Sequence, residues 1–287
     1  MKGVFLYLVV GLMLIGGGLV GLVLYDGIKS SSTESLFDQK KAGSVSEPFD
    51  QAESNLPPNQ PSVYVPILMY HYIRDYQNQD DPLGIQLSVS PQAFDKQLSI
   101  LKKAGYETIS LEDFANGKYQ PKSIVLTFDD GYDNHVTEAL PILQKYNYSA
   151  TFFVVSGFVG RTYYMTAPQI QQLKLAGMEI GGHTITHLNL ANASYEKAIT
   201  EISTSLRSRD PVFAYPSGKY NPTTLDVVSG LGVKAAVTTN IGVATEKSNF
   251  FELPRIRVKE QTDLLKRIDE ETAIAARQKT PSQRSRD

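Results

Sequence analysis

The 287-residue chain contains no cysteine. That excludes disulfides, a cysteine nucleophile and every zinc site built on thiolates, and it fits export in an organism that does without disulfides. A charge excess is also lacking: Lys and Arg total 28 against 30 for Asp and Glu, a formal net charge of −2. Recognition of phosphate backbones rests on a strong basic surplus, so no nucleic-acid partner is expected. Histidine is scarce, four residues in all, and no internal repeat is visible. What is present in ordinary measure is hydrophobic content, 41%, enough for a real core.

The N-terminus carries the first positive signal. Between Lys2 and Asp26 lie 23 uncharged residues rich in Leu, Val and Gly. As a helix they would span roughly 34 Å, against a bilayer core of about 30 Å. The run ends without a small-x-small cleavage pattern, and no Cys follows it for lipid attachment, so residues 1–25 read as a retained transmembrane anchor. Lysines flank both ends, which leaves the positive-inside count undecided. The very short N-terminal tail and the long C-terminal part place the domain outside the cell. Residues 26–60 are rich in Ser, Asp, Glu, Gln and Pro without periodicity, as in a flexible linker with a mean reach of about 30–35 Å. The domain is expected over 61–276, followed by a polar tail at 277–287.

Within the domain, β-rich runs at 65–70, 106–110, 123–128, 150–155, 178–182, 211–215, 233–239 and 253–258 alternate with helical patterns at 91–104, 134–146, 167–176, 194–207, 221–230 and 260–276. Ser90-Pro91, Ala167-Pro168 and Asn221-Pro222 mark helix starts. The alternation predicts an α/β fold, a (β/α) barrel of seven or eight strands, with a doubly wound open sheet as the alternative.

In such a barrel the chemistry gathers at the C-terminal ends of the strands. Four apolar runs end in polar residues there: Ile124–Phe128 in Asp129-Asp130-Gly131, Met178–Gly182 in His183 with His187 four residues on, Ile67–Tyr70 in His71, and Val212–Tyr215 in Pro216-Ser217-Gly218. A His-x3-His pair brings two imidazoles to one side of a turn, where both can bind one metal. Alone, the pair is a weak signal, and its plainer reading is two surface histidines. Asp129 and Asp130 alone read as a turn and helix cap. Beside the histidines, the better account makes one Asp a metal ligand and its neighbour a general base, because zinc often takes two His and one carboxylate and keeps a position for water.

Thr127-Phe128-Asp129-Asp130-Gly131, His183-Thr184-Ile185-Thr186-His187 and Phe213-Ala214-Tyr215-Pro216-Ser217-Gly218, in that order and spacing, resemble the polysaccharide deacetylase family (carbohydrate esterase family four, the NodB homology domain). The resemblance covers about 65–258. It implies a distorted (β/α) barrel, one divalent metal, usually zinc, held by Asp130, His183 and His187, and Asp129 as the base that activates water. Two departures matter. Most members draw a general-acid His from a C-terminal Leu-x-His motif, yet no His follows His187 here. Leu68-Met69-Tyr70-His71 instead resembles the circularly permuted subgroup of the intercellular-adhesin deacetylases, which implies His71 as the acid. Many members also carry, in the third motif, an Arg that steadies the catalytic Asp. Ala214 stands there in this chain, and Arg255 is either its substitute or a structural ion-pairing residue.

The implied activity is removal of N-acetyl groups from a surface polysaccharide, either poly-N-acetylglucosamine or peptidoglycan. The alternatives are an O-acetyl esterase and a non-catalytic carbohydrate-binding protein. The backbone N–H of Ser217, on a turn set by Tyr215, Pro216 and Gly218, is expected to hold the oxyanion. Tyr70, Tyr72 and Leu188 are candidates for an acetyl pocket. His135 is expected on the exposed face of the next helix, with a structural role only.

Overall fold

The structure is a computed structural model and describes residues 63–206 and 210–277. The expected anchor and linker, and the tail beyond Arg277, lie outside the described residues. Among those described, no helix is long and apolar enough to cross a membrane.

Seven strands carry the fold: β1 Ile67–Tyr70, β2 Ser123–Phe128, β3 Thr151–Val154, β4 Glu179–Gly182, β5 Val212–Ala214, β6 Ala235–Ile241 and β7 Leu253–Arg257. All pair in parallel, in the order β1-β7-β6-β5-β4-β3-β2. The ring closes where β1 also pairs with β2, from Ile67↔Val125 to Tyr70↔Phe128. That closure decides for a barrel over an open sheet. The first strand thus lies between the last strand and the second. The eighth expected strand, Glu107–Thr108, stays outside the ring and pairs only with the first half of β2. From Thr127 onward β3 takes over that edge.

Helices follow the strands: α1 Pro91–Lys103, α2 Leu140–Lys145, α3 Ala167–Leu175, α4 Tyr195–Ser205, α5 Pro222–Gly230 and, after β7, α6 Leu264–Arg277. Side chains cap the starts of α1 (Ser90), α4 (Ser194) and α5 (Asn221). The cap of α3 is Thr166, one residue before the expected start, because Thr166 and Gln169 form a reciprocal capping box. The helix expected over 134–146 opens with a π turn, His135–Ala139, before α2. Pro141 accounts for this, since it lacks an N–H and its ring clashes with the carbonyl four residues back.

Strands covered on both faces read as continuous apolar runs, and β1 and β2 are buried throughout. Their alternation sorts the side chains. Ile67, Val125 and Leu253 fill the barrel interior. Leu68, Tyr70, Leu126 and Phe128 pack outward beneath the helices. The same alternation points His71, Asp129, Arg255 and Arg257 into the barrel at its C-terminal end.

Candidate active site

Strand β2 runs directly into the two carboxylates. Asp129 keeps the strand course, its N–H donating to the Tyr70 carbonyl at 3.0 Å. Asp130 and Gly131 then adopt positive φ, 77° and 82°. At Gly131 a Cβ would come within 3.2 Å of Val154 Cγ1, so the turn requires glycine there. This left-handed step, costly for a non-glycine residue, sends the two adjacent carboxylates in different directions.

Asp129 is held by Arg255, which is wholly buried. Nη1 and Nη2 of Arg255 donate to Oδ1 and Oδ2 of Asp129, each at 2.7 Å. Nη1 also donates to Thr127 Oγ1 at 3.0 Å, and Nε donates to the Thr238 carbonyl at 2.8 Å. Thr127 passes the network on through its hydroxyl to the Leu68 carbonyl at 2.7 Å. Burial pushes the Asp129 carboxyl up, but the adjacent guanidinium outweighs it and holds the group below the usual carboxylate range. The position of Ala214 needs no arginine, because β7 delivers one to the same carboxylate.

Asp130, His183 and His187 form a cluster in which one ligand atom from each lies within 4.8 Å of the others. Asp130 Oδ1 is 3.3 Å from Nε2 of both histidines, yet it is buried without a hydrogen-bond partner. His183 Nδ1 lies 2.7 Å from the Ala214 carbonyl. A carbonyl can only accept, so Nδ1 donates to it and Nε2 is the ring atom left facing the carboxylate oxygen. Ligand atoms facing one another at that distance, with no hydrogen bond on Asp130 Oδ1, fit a cation between them, and Asp plus two His is a donor set suited to zinc. Burial raises the Asp130 carboxyl, but the imidazoles of His183 and His187 more than reverse this, so it is kept as the carboxylate that ligation needs. Glu201, on α4, fixes the turn carrying the histidines: its carboxylate accepts the N–H groups of Ile185 and Thr186 and the Thr186 hydroxyl. Within that turn Thr184 and His187 themselves take positive φ, 62° and 58°.

His71 extends from β1 to the other side of Asp129, its Nε2 3.9 Å from Asp129 Oδ2. Burial lowers its pKa. His135, expected on an exposed helix face, is instead fully buried, because the π turn swings it under the barrel mouth among Phe128, Phe152 and Tyr132. Its Nε2–H donates to the His71 carbonyl at 2.7 Å, while Asn134 Oδ1 accepts the Ile73 N–H at 2.9 Å. Both bonds tie the strand end that presents His71 to the segment after Asp130. Burial pushes the His135 imidazole down to about 4.

The third motif forms a 3-10 turn, Pro216–Gly218, at the end of β5. Ser217 is exposed with φ 54°, and its N–H meets no protein acceptor among the described residues. Gly218 packs so closely that a Cβ would meet Thr239 Oγ1. Tyr215 is buried and spends its hydroxyl on the Phe251 carbonyl at 3.0 Å, so it supports the turn from behind. Tyr70 does not reach an acetyl pocket: strand alternation turns it outward, against Phe94 and Phe128, with its hydroxyl on Gln97. Leu188 packs with the cluster beneath α4 and α5. Tyr72 is partly exposed and stacks on Tyr132 at 3.7 Å between ring centres.

A family model for polysaccharide deacetylase matches residues 116–236. YxkH of Bacillus subtilis (strain 168), named for the same family, is 30% identical over 232 residues, 77% of this chain and 80% of that protein. This chain belongs to the polysaccharide deacetylase family. It is accordingly an enzyme, a hydrolase of the carbohydrate esterase family four type. The poly-beta-1,6-N-acetyl-D-glucosamine N-deacetylase of Staphylococcus aureus (strain MSSA476) is 26% identical over 209 residues, 63% of this chain and 72% of its own length. The deacetylase PplD of Streptococcus pyogenes, solved in complex with acetate, superposes with a TM-score of 0.67 at 34% identity, covering 73% of this chain and 99% of that one.

The sequence pointed to Asp129, Asp130, His71, His183, His187 and Arg255, and the structure gathers all six at one mouth of the barrel. It missed Glu201, Thr127 and the role of His135. Glu201 offered one signal: an acid in the middle of an amphipathic helix, on its buried face.

Proposed function

We propose that the domain removes N-acetyl groups from an N-acetylglucosamine-containing cell-surface polysaccharide in a metal-dependent reaction. The observation that carries this reading is the convergence of ligand atoms from Asp130, His183 and His187 beside a carboxylate and an imidazole that nothing in metal binding alone requires. Asp130, His183 and His187 would hold a divalent cation, zinc by the chemistry of the donors, which would supply Lewis acidity toward a water molecule and the amide carbonyl. Asp129, kept ionised by Arg255, takes the proton from the attacking water. The Ser217 N–H, on the Pro216–Gly218 turn, donates to the oxygen that gains charge as the carbonyl carbon becomes tetrahedral. His71 gives a proton to the departing nitrogen. A carbohydrate-binding protein would need neither group. The name of the staphylococcal relative supports an amide on an N-acetylglucosamine polymer. The apolar run at 3–25 supports a membrane-anchored domain on the outer side of the cell.

Asp129→Asn and Asp130→Asn test these roles, since adjacent carboxylates are easily confused. Asp129→Asn should keep its zinc yet lose on the order of 10²–10⁴ in turnover, with no recovery at saturating zinc. Asp130→Asn should lose zinc first. Metal content and acetate release from poly-N-acetylglucosamine and peptidoglycan read both. Near wild-type turnover by Asp129→Asn would remove it as the base.

A further inference from the structure

We propose that Arg257 binds an anionic substituent of the polysaccharide, a carboxylate or phosphate on the sugar flanking the acetamido unit. The inference deepens the deacetylase function proposed above and rests on it.

Leu253, Arg255 and Arg257 lie on one face of β7, two residues apart. Leu253 belongs to the barrel interior, Arg255 reaches Asp129, and Arg257 stands one step nearer the mouth. Its neighbour across the ladder is Met69, two residues before His71, and the Val258 N–H donates to the Met69 carbonyl at 3.1 Å. Arg257 is therefore fixed beside the strand end that carries the candidate acid. Its charge acts on His71 more strongly than that of Arg255 does, and Asp129 and Asp130 act on it in turn.

The two arginines differ in what they hold. Arg255 donates to a carboxylate, a hydroxyl and a carbonyl. The guanidinium of Arg257 is half-buried, yet it makes no hydrogen bond or ion pair with any described residue. A guanidinium presents five donors in a planar fork that matches a carboxylate or phosphate in two-point contact. Partial burial without a hydrogen-bonded acceptor costs free energy, and an arriving anion offsets that cost in a way that a neutral hydroxyl does not. The charge count agrees. Asp129 and Asp130 balance Arg255 and Arg257, so a divalent cation at the cluster leaves the mouth positive and favours an anionic glycan.

The carboxylate could come from a lactyl ether, as on the muramic acid of peptidoglycan, and the phosphate from a phosphodiester between sugars. Neutral poly-N-acetylglucosamine carries neither. The experiment measures kcat/KM of the zinc-loaded full-length enzyme on three oligosaccharides: a neutral N-acetylglucosamine oligomer, a glycan with alternating lactyl-ether carboxylates, and one with a phosphodiester beside the acetamido sugar. The wild type should prefer one of the two anionic substrates over the neutral one, and which of them it prefers identifies the source. In Arg257→Gln that preference should fall about tenfold or more, the worth of one charge-assisted contact, through KM rather than kcat, and Arg257→Lys should restore part of it. A smaller fall in a variant with the wild-type circular dichroism spectrum and zinc content overturns the proposal, as does a wild type without any anionic preference. If the wild type deacetylates none of the three, the deacetylase reading itself fails, an outcome distinct from an unchanged ratio.

Discussion

Replacing Arg255 by alanine should cost the fold on the order of 3–5 kcal/mol at neutral pH, because breaking a buried pair from one side leaves an uncompensated charge. Asp129 and Arg255 are 3% and 0% exposed, so water cannot take over the lost contacts. At about 2–4 °C per kcal/mol for a domain of this size, the melting temperature should fall by roughly 6–20 °C. The pH dependence distinguishes the ion pair from simple loss of packing. In the wild type the folded-state carboxyl of Asp129 is held below its unfolded value. Its stabilisation is therefore complete above the unfolded value of about 3.9 and is lost as pH falls through the folded one. In Arg255→Ala only burial acts strongly on the carboxyl and drives it up, so the variant relieves itself by taking a proton as the solution is acidified. The gap in stability should be widest near neutrality and narrow toward about pH 4–5. Thermal melts across that range measure it, and adding Asp129→Asn to Arg255→Ala should return part of the loss. A gap independent of pH, or single-variant costs that simply add in the double variant, would refute the argument.

His135 gives a second pH signature. It is neutral in the fold, with a value of about 4 against 6.5 for the free side chain. Its contribution is therefore complete above pH 6.5 and erodes as pH falls from there toward about 4, by up to about 3 kcal/mol. His135→Gln, which keeps a donor for the His71 carbonyl, should show a flatter dependence of the urea midpoint on pH. Equal slopes would remove His135 as the cause. For the proposed anchor, the full-length protein should sediment with membranes and need detergent for release. A chain recovered from the medium with its N-terminus near residue 26 would show instead that the segment is cleaved.

The chain's local patterns were enough to place each barrel strand within a few residues, because strands buried on both faces are written as apolar runs. They also put Asp129, Asp130, His71, His183 and His187 at strand ends, where a barrel keeps its chemistry. Ser90 and Asn221 announced their helices through short-range capping, which needs nothing beyond three neighbouring residues. Closure of the barrel was not written locally: the pairing of β1 with β2 joins residues 58 apart (Ile67 with Val125), and an open sheet would have used the same strands. The same limit applied to Arg255. Its role depends on β7 lying on the far side of β1 from β2, so that a residue 126 positions away in sequence supplies the guanidinium missing at Ala214. His135 was misplaced for a related reason. A regular helix would have turned it to solvent, whereas Pro141 opens a π turn and rotates the ring beneath His71, where only the tertiary packing of Phe128 and Phe152 provides a site for it. Glu201 and the cluster at Asp130 belong with these, since a hydrogen bond that is present or missing depends on where other elements of the chain come to rest.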